Sequence, residues 1–280
     1  MSIARDFRWG RAAGLVTAIT ATCAPAAGWA AGVPLLPHHA VYKLTFASSN
    51  GSKAPADANG MIAYDFSGSA CAGYKTEFQQ VTALQPPEGD ARISNTETTT
   101  LESGDAGRFD FDIRTTVNQG DPEAVKGEAT RDKDGALDID LQAPEAAKVD
   151  VKADALFPTA HLERIIATAQ SGGRILSAQV FDGSDTGRKI FNTLTVIGAP
   201  ITSPASDKAA QDSALSSERR WPVTISYFDQ AQADAQPAYV LSFELYENGV
   251  SRALKVDYGN FALAGELVEF KPGPASSCTK

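Results

Sequence analysis

Side chains that could carry acid–base or metal chemistry are sparse in this sequence. Its three histidines are His38, His39 and His161. The adjacent pair would point to opposite sides of a strand, which is poor geometry for holding one metal ion. His161 has no Cys or Glu neighbour at the spacing that metal ligands use. We therefore favour a structural or solvated role for each histidine and predict no metal site.

Carboxylates are plentiful, but nothing in their spacing selects a catalytic pair. Asp110 and Asp112 alternate with phenylalanines, as expected for the wet face of a strand. The run Asp132-x-Asp134-Gly135 resembles the opening of a calcium loop, but its glycine is misplaced and no closing Glu follows. No nucleophile elbow, phosphate loop or dinucleotide fingerprint is present. We predict no catalytic residue and no cofactor, with a hydrolase using a carboxylate pair as the alternative.

One segment after the N-terminus has the pattern of a helix, Phe157 to Gly173. Its apolar stripe consists of Leu162, Ile165, Ile166 and Ala169. Pro158 suits the first turn, Thr159 is the predicted cap of the start, and Gly172 or Gly173 suits the C-terminal stop. A lone amphipathic helix needs a surface on which to bury its stripe.

Most of the remaining chain alternates with the period of a β-strand. Leu137, Ile139 and Leu141 share one face, for example, and Asp134-Gly135 and Asn248-Gly249 are hairpin signals. The pattern predicts a mainly β protein: one many-stranded antiparallel sheet that curls around the helix or packs across it. We expect a single domain over residues 31–280. A mobile loop is predicted near 199–218, where Ala, Ser and Pro predominate.

Two late strands are rich in aromatic residues, Trp221 to Phe228 and Tyr239 to Tyr246. They could belong to a packed core, or they could line an apolar cavity for a lipid-like or small ligand, which curled sheets can hold. Periodicity does not separate these two interpretations.

The N-terminus predicts export. Arg5, Arg8 and Arg11 precede an apolar run from Ala12 to about Pro25, and the small residues around Trp29 favour cleavage after Ala30. The run is too short for a comfortable membrane span. We predict a signal peptide over residues 1–30 and a protein of the periplasm that does not span the membrane. The net charge of −9 argues against nucleic acid as a partner.

Two cysteines remain after the predicted cleavage, Cys71 and Cys278. An even pair in an oxidising compartment indicates one disulfide, and two free thiols are the competing interpretation.

Six stretches spread over the chain are those of a known family. They are PHHAVYKLTF (Pro37 to Phe46), YDFSGSACAGY (Tyr64 to Tyr74), TETTTLE (Thr96 to Glu102), FPTAHLERII (Phe157 to Ile166), WPVTISYF (Trp221 to Phe228) and VDYGNFALAGEL (Val256 to Leu267). On these stretches the chain resembles the EipB family, periplasmic cell-envelope integrity proteins of alphaproteobacteria.

The resemblance implies a single β-spiral with a helix within it and a disulfide between Cys71 and Cys278. It also implies resistance to envelope stress without an established enzymatic activity, and binding of a lipid-like ligand or of envelope proteins. Our leading hypothesis is a non-enzymatic periplasmic protein that supports envelope integrity by binding. A hydrolase of envelope polymers and a purely structural scaffold are the alternatives.

Replacing one cysteine tests the disulfide. We expect Cys71→Ser or Cys278→Ser to lower the melting temperature by several degrees, because loss of a native disulfide costs roughly 2–5 kcal/mol. Thermal unfolding followed by circular dichroism measures the change. Identical melting of the oxidised and the reduced wild-type protein would contradict the prediction.

Overall fold

A computed structural model of the chain describes residues 33–51, 54–230 and 236–274. The predicted signal peptide, residues 1–30, and Cys278 lie outside these ranges. The strands are β1 (His38–Ser49), β2 (Asp57–Ser69), β3 (Gly73–Gln85), β4 (Arg92–Glu102), β5 (Arg108–Val117), β6 (Glu123–Arg131), β7 (Leu137–Ala143), β8 (Ala147–Val151), β9 (Ile175–Val180), β10 (Phe191–Ile197), β11 (Arg220–Asp229), β12 (Tyr239–Tyr246), β13 (Ser251–Asp257) and β14 (Phe261–Pro272). The helices are α1 (Pro158–Gln170), α2 (Ser213–Ser216) and a 3₁₀ turn (Lys208–Gln211).

All fourteen strands form one antiparallel sheet in the order β8-β7-β6-β5-β4-β3-β2-β1-β14-β13-β12-β11-β10-β9. Two meanders, β1–β8 and β9–β14, are joined because β1 pairs with β14 along its length, from His38 opposite Pro272 to Ser49 opposite Phe261. The predicted mainly β, antiparallel architecture is therefore confirmed. The sheet is not closed, since β8 and β9 form its two edges.

Helix α1 follows β8. It lies within the segment Phe157 to Gly173, for which the apolar stripe predicts a helix. Pro158 lies in the first turn, and Gly172, with φ of +82°, follows the helix in the left-handed conformation that glycine adopts easily. The predicted Thr159 cap is wrong: the N-cap residue is Phe157, and no side chain of its own segment caps the start.

The stripe of α1 packs on the late strands of the sheet. Ile165 and Ile166, which are almost fully buried, share one apolar cluster with Trp221 and Val223 of β11 and Leu245 of β12. The aromatic residue Trp221 thus belongs to the core. Burial of such side chains stabilises the fold by roughly 1.5–3 kcal/mol each.

The segment between β10 and β11, where a mobile loop is predicted near 199–218, has side chains packed on the sheet. Ala210 and Leu215 are buried in a cluster with Tyr42 and Leu267. An ion pair of 2.9 Å joins Asp207 to Arg252 of β13, and both side chains are nearly buried. The composition of the segment concealed these contacts because the apolar residues involved are few and mostly small.

The described residues include no helix that is both long and apolar enough to cross a membrane.

Candidate functional site

A recess in the sheet lies under the N-terminal end of α1, and cross-strand register explains it. Two rows of inward-facing residues run across β2, β3, β4 and β5: Tyr64, Phe78, Thr98 and Ile113 in the first, Phe66, Thr76, Thr100 and Phe111 in the second. In both rows large side chains stand at β2 and β5, with threonines on β4 between them. The small threonine side chains leave unfilled volume between the larger ones.

The recess is roofed by α1 and by the loop after β9. Pro158, Thr159 and Leu162 of the helix and Asp182 and Ser184 of the loop complete the lining of a cavity of about 280 Å³. Several lining side chains remain partly exposed, so solvent reaches the cavity. Its volume is at the lower end of the range for small-molecule sites in proteins.

The loop is held against the sheet by an aromatic cluster. The Phe181 ring meets Phe109 and Phe111 edge-on, with centroids 6.1 Å and 5.7 Å apart, and Phe157 stacks on Phe109 at 5.1 Å. Gly183 has φ of +72°, and a Cβ there would lie 2.5 Å from the Phe111 ring. Only a glycine allows the loop to approach β5 so closely, and this approach brings Asp182 over the recess.

A buried carboxylate from the sheet caps helix α1. Glu102, at the end of β4, accepts hydrogen bonds from the main-chain N–H groups of Thr159 at 2.7 Å and Ala160 at 2.9 Å. The first N–H groups of a helix have no partner within the helix, and the helix dipole favours negative charge there. Burial nonetheless raises the pKa of Glu102, against the opposing effect of these hydrogen bonds.

A second polar contact fixes the same end of α1. The Tyr74 hydroxyl on β3 donates a hydrogen bond of 3.0 Å to Glu163. The Tyr74 ring stacks on Phe66 of the recess, with centroids 5.5 Å apart. The helix is therefore tied to β3 through Glu163 and to β4 through Glu102.

His161 is buried on α1 with only 4% of its surface exposed, and its Nε2 atom has no hydrogen-bond partner among the described residues. Burial lowers the pKa of His161 to about 4, so the ring is neutral at pH 7. This agrees with the structural role that we favoured, and the described residues contain no metal-binding group of His, Cys, Asp and Glu side chains.

The other sequence-predicted residues are dispersed. His38 and His39 begin β1, and His38 packs against Tyr64 with ring centroids 5.5 Å apart. Asp134 lies in the β6–β7 turn, as the hairpin interpretation predicts. Cys71 lies in the exposed turn between β2 and β3, whereas Cys278 is outside the described residues. The disulfide therefore stays a prediction.

Sequence analysis left open whether the aromatic residues of β11 and β12 form core or line a cavity. The aromatic residues of β11 and β12 pack among themselves and against neighbours, as when Tyr227 stacks on Tyr239 with centroids 4.5 Å apart. The cavity lies instead on β2 to β5, where the signal was the Thr-rich β4 between two strands with inward aromatic rings. That signal requires the cross-strand register, which a sequence does not display.

The fold and the cavity define a class of protein: a large antiparallel sheet that holds a small, mainly apolar recess beside one helix. Residues 29–274 match the family model described as EipB-like, and the chain belongs to the EipB-like family. The resemblance inferred from the six sequence stretches is thereby confirmed.

Two comparisons with individual proteins agree. The chain is 35% identical over 259 residues to the cell envelope integrity protein EipB of Brucella abortus (strain 2308), with 92% of this chain and 91% of that protein covered. It is also similar to the crystal structure of a β-barrel-like protein of a domain of unknown function from Brucella abortus. The TM-score is 0.81 at 33% identity, and the match covers 86% of this chain and 100% of that one.

Substitution of the capping carboxylate tests its role. We expect Glu102→Gln to lower the free energy of unfolding by about 1–3 kcal/mol, because the amide has one acceptor oxygen and leaves a buried N–H group unpaired. Urea unfolding measures the loss. Glu97→Gln, at an exposed position of the same strand, is the matched control and should change little. Equal stabilities of the two variants would rule out the cap as a significant contributor.

Acid titration tests the buried His161. Its folded-state pKa of about 4 lies below the unfolded value of 6.5, so the unfolded chain binds the extra proton first. The contribution of His161 is therefore present above pH 6.5 and is lost as the pH falls towards 4. We expect His161→Leu to be less acid-sensitive by on the order of 3 kcal/mol over this range. Parallel stability curves for wild type and variant would contradict the assignment.

Proposed function

We propose that this chain is a non-enzymatic periplasmic protein that supports cell-envelope integrity and stress resistance by binding a lipid-like ligand or a protein partner. The observation that carries the proposal is the cavity under α1, whose lining combines aromatic and aliphatic side chains with hydroxyl groups and a single carboxylate among the described residues. Binding sites for small apolar ligands have this composition. The name of the Brucella relative, cell envelope integrity protein, supports the same role.

The hydrolase alternative needs two carboxylates that face one cleft. Asp182 is the only carboxylate among the described residues that line the cavity. The nearby Glu102 uses both of its oxygens to cap α1. These contacts favour binding over catalysis.

The compartment and the fold details belong to the same proposal. The charged and apolar pattern of residues 1–30 supports export through a cleaved signal peptide. Helix α1 contacts β3 and β4 at one end, and β11 and β12 along its apolar stripe. These contacts support a β-spiral around a central helix.

The disulfide between Cys71 and Cys278 is supported by the path of the chain. Gly273 donates a hydrogen bond to Pro37, so the C-terminal end of β14 still follows β1. His38 lies between Pro272 on one side and Phe66 of β2 on the other. The turn that carries Cys71 follows at the end of β2, within reach of the last residues of the chain.

Filling the cavity tests the proposed function. Thr98→Phe points into the recess, and Thr99→Phe places the same side chain at the exposed position beside it on β4. In a deletion strain challenged with detergent, we expect Thr99→Phe to restore growth and Thr98→Phe to fail. Native mass spectrometry of the protein purified from periplasm should show any bound ligand lost in Thr98→Phe alone.

Circular dichroism and melting temperature establish that both variants fold. Full rescue by a folded Thr98→Phe would show that the cavity is dispensable for envelope integrity.

A further inference from the structure

The volume of the cavity under α1 limits the size of the ligand that it can hold. An inference about that ligand rests on the proposed function. A volume of about 280 Å³ corresponds to about nine water molecules at roughly 30 Å³ each. A methylene group needs similar room. A single short alkyl chain therefore fits, whereas a lipid with two long acyl chains does not enter whole.

The described residues that line the cavity include an acidic side chain and no basic one. Asp182 is the only carboxylic acid among the described lining residues, which include no Lys, Arg or His. The remaining polar groups are neutral hydroxyls of Tyr64, Thr76, Thr98, Thr100, Thr159 and Ser184. An anionic head group would meet a carboxylate and no cation in this cavity, whereas a cationic head group would meet its complement.

Lys189 acts on Asp182 through its charge, which opposes the rise in the Asp182 pKa, and the direct ion pairs of Lys189 are with other carboxylates. The Lys189 ammonium lies on the same loop, but it forms ion pairs of 3.0 Å with Asp185 and 2.9 Å with Asp229. Asp182 itself accepts a hydrogen bond of 2.9 Å from the main-chain N–H of Ser184.

Two tyrosine hydroxyls from other elements lie near Asp182. Tyr227 of β11 and Tyr239 of β12 are close enough for the carboxylate to raise the pKa of each hydroxyl, after burial as the main cause. Burial likewise raises the pKa of Asp182. A desolvated carboxylate without a cation in contact gains from one that enters with a ligand.

We infer that the cavity binds a single-chain amphiphile whose head group carries an ammonium, with the chain between the aromatic walls of the recess and the head group at Asp182. The hydroxyls of Thr76 and Ser184 are hydrogen-bonded to Tyr64 and Asp182, respectively, and each hydroxyl oxygen keeps a lone pair that can accept an ammonium proton.

Isothermal titration with three probes of equal chain length tests the inference: n-nonylammonium, n-nonanol and n-nonanoate, each below its micelle-forming concentration. We expect the wild-type protein to bind nonylammonium tightest and nonanoate weakest. Asp182→Asn should weaken nonylammonium binding at least about tenfold and leave nonanol unchanged. Asp140→Asn, at an exposed carboxylate on β7, removes the same charge elsewhere and should have no effect.

Acidification gives an independent measurement. Protonation of Asp182 removes the negative charge while the probe stays an ammonium ion, so wild-type affinity should fall as the pH drops through the raised pKa of this carboxyl. The Asp182→Asn variant should show no such fall.

Equal binding of nonanoate and nonylammonium, or unchanged affinity in Asp182→Asn, would overturn the inference. Loss of all binding in Thr98→Phe together with unchanged affinity in Asp182→Asn would leave the cavity as the binding site and remove only the ammonium specificity. Failure of every probe to bind the wild-type protein also overturns the inference, while the growth assay decides the proposed function separately.

Discussion

The need to satisfy the N-terminus of a buried helix organises this structure. The first N–H groups of α1 face the interior of the sheet, where unpaired donors are costly. Glu102 supplies both acceptors from β4, and this single contact fixes the height at which the helix stands above the sheet. The helix could not shift along its axis or rotate without leaving a buried carboxylate and two N–H groups unpaired.

The cavity follows from this fixed height. The carboxylates of Glu102 and Glu163 hold the helix, and the phenylalanine cluster holds the loop. Neither element can therefore move closer to the threonines of β4. A packed interior normally fills such a gap with larger side chains. Here the volume is kept open by the rigid frame around it, and Asp182 is the one carboxylate among the described residues of the lining.

Local patterns predicted what depends on neighbours in the chain. The stripe of α1, the turn at Gly135 and the alternation of β7 are visible because each depends on residues a few positions apart. Glu102 and Thr159 are far apart in the sequence, and a lone Glu at the end of a Thr-rich strand does not predict a helix cap. The contacts of the segment around Ala210 are non-local in the same way, since Asp207 pairs with Arg252 of a later strand.

The pairing of β1 with β14 limits the order in which the sheet can fold. The two strands come from opposite ends of the chain, and ribosomes deliver the N-terminal one first. The meander β1–β8 can form hairpin by hairpin, but one side of β1 stays without a partner until the last strand has been made. An open strand edge invites pairing with other chains. Translocation in an unfolded form would postpone that exposure until both ends of the ribbon are present in the same compartment.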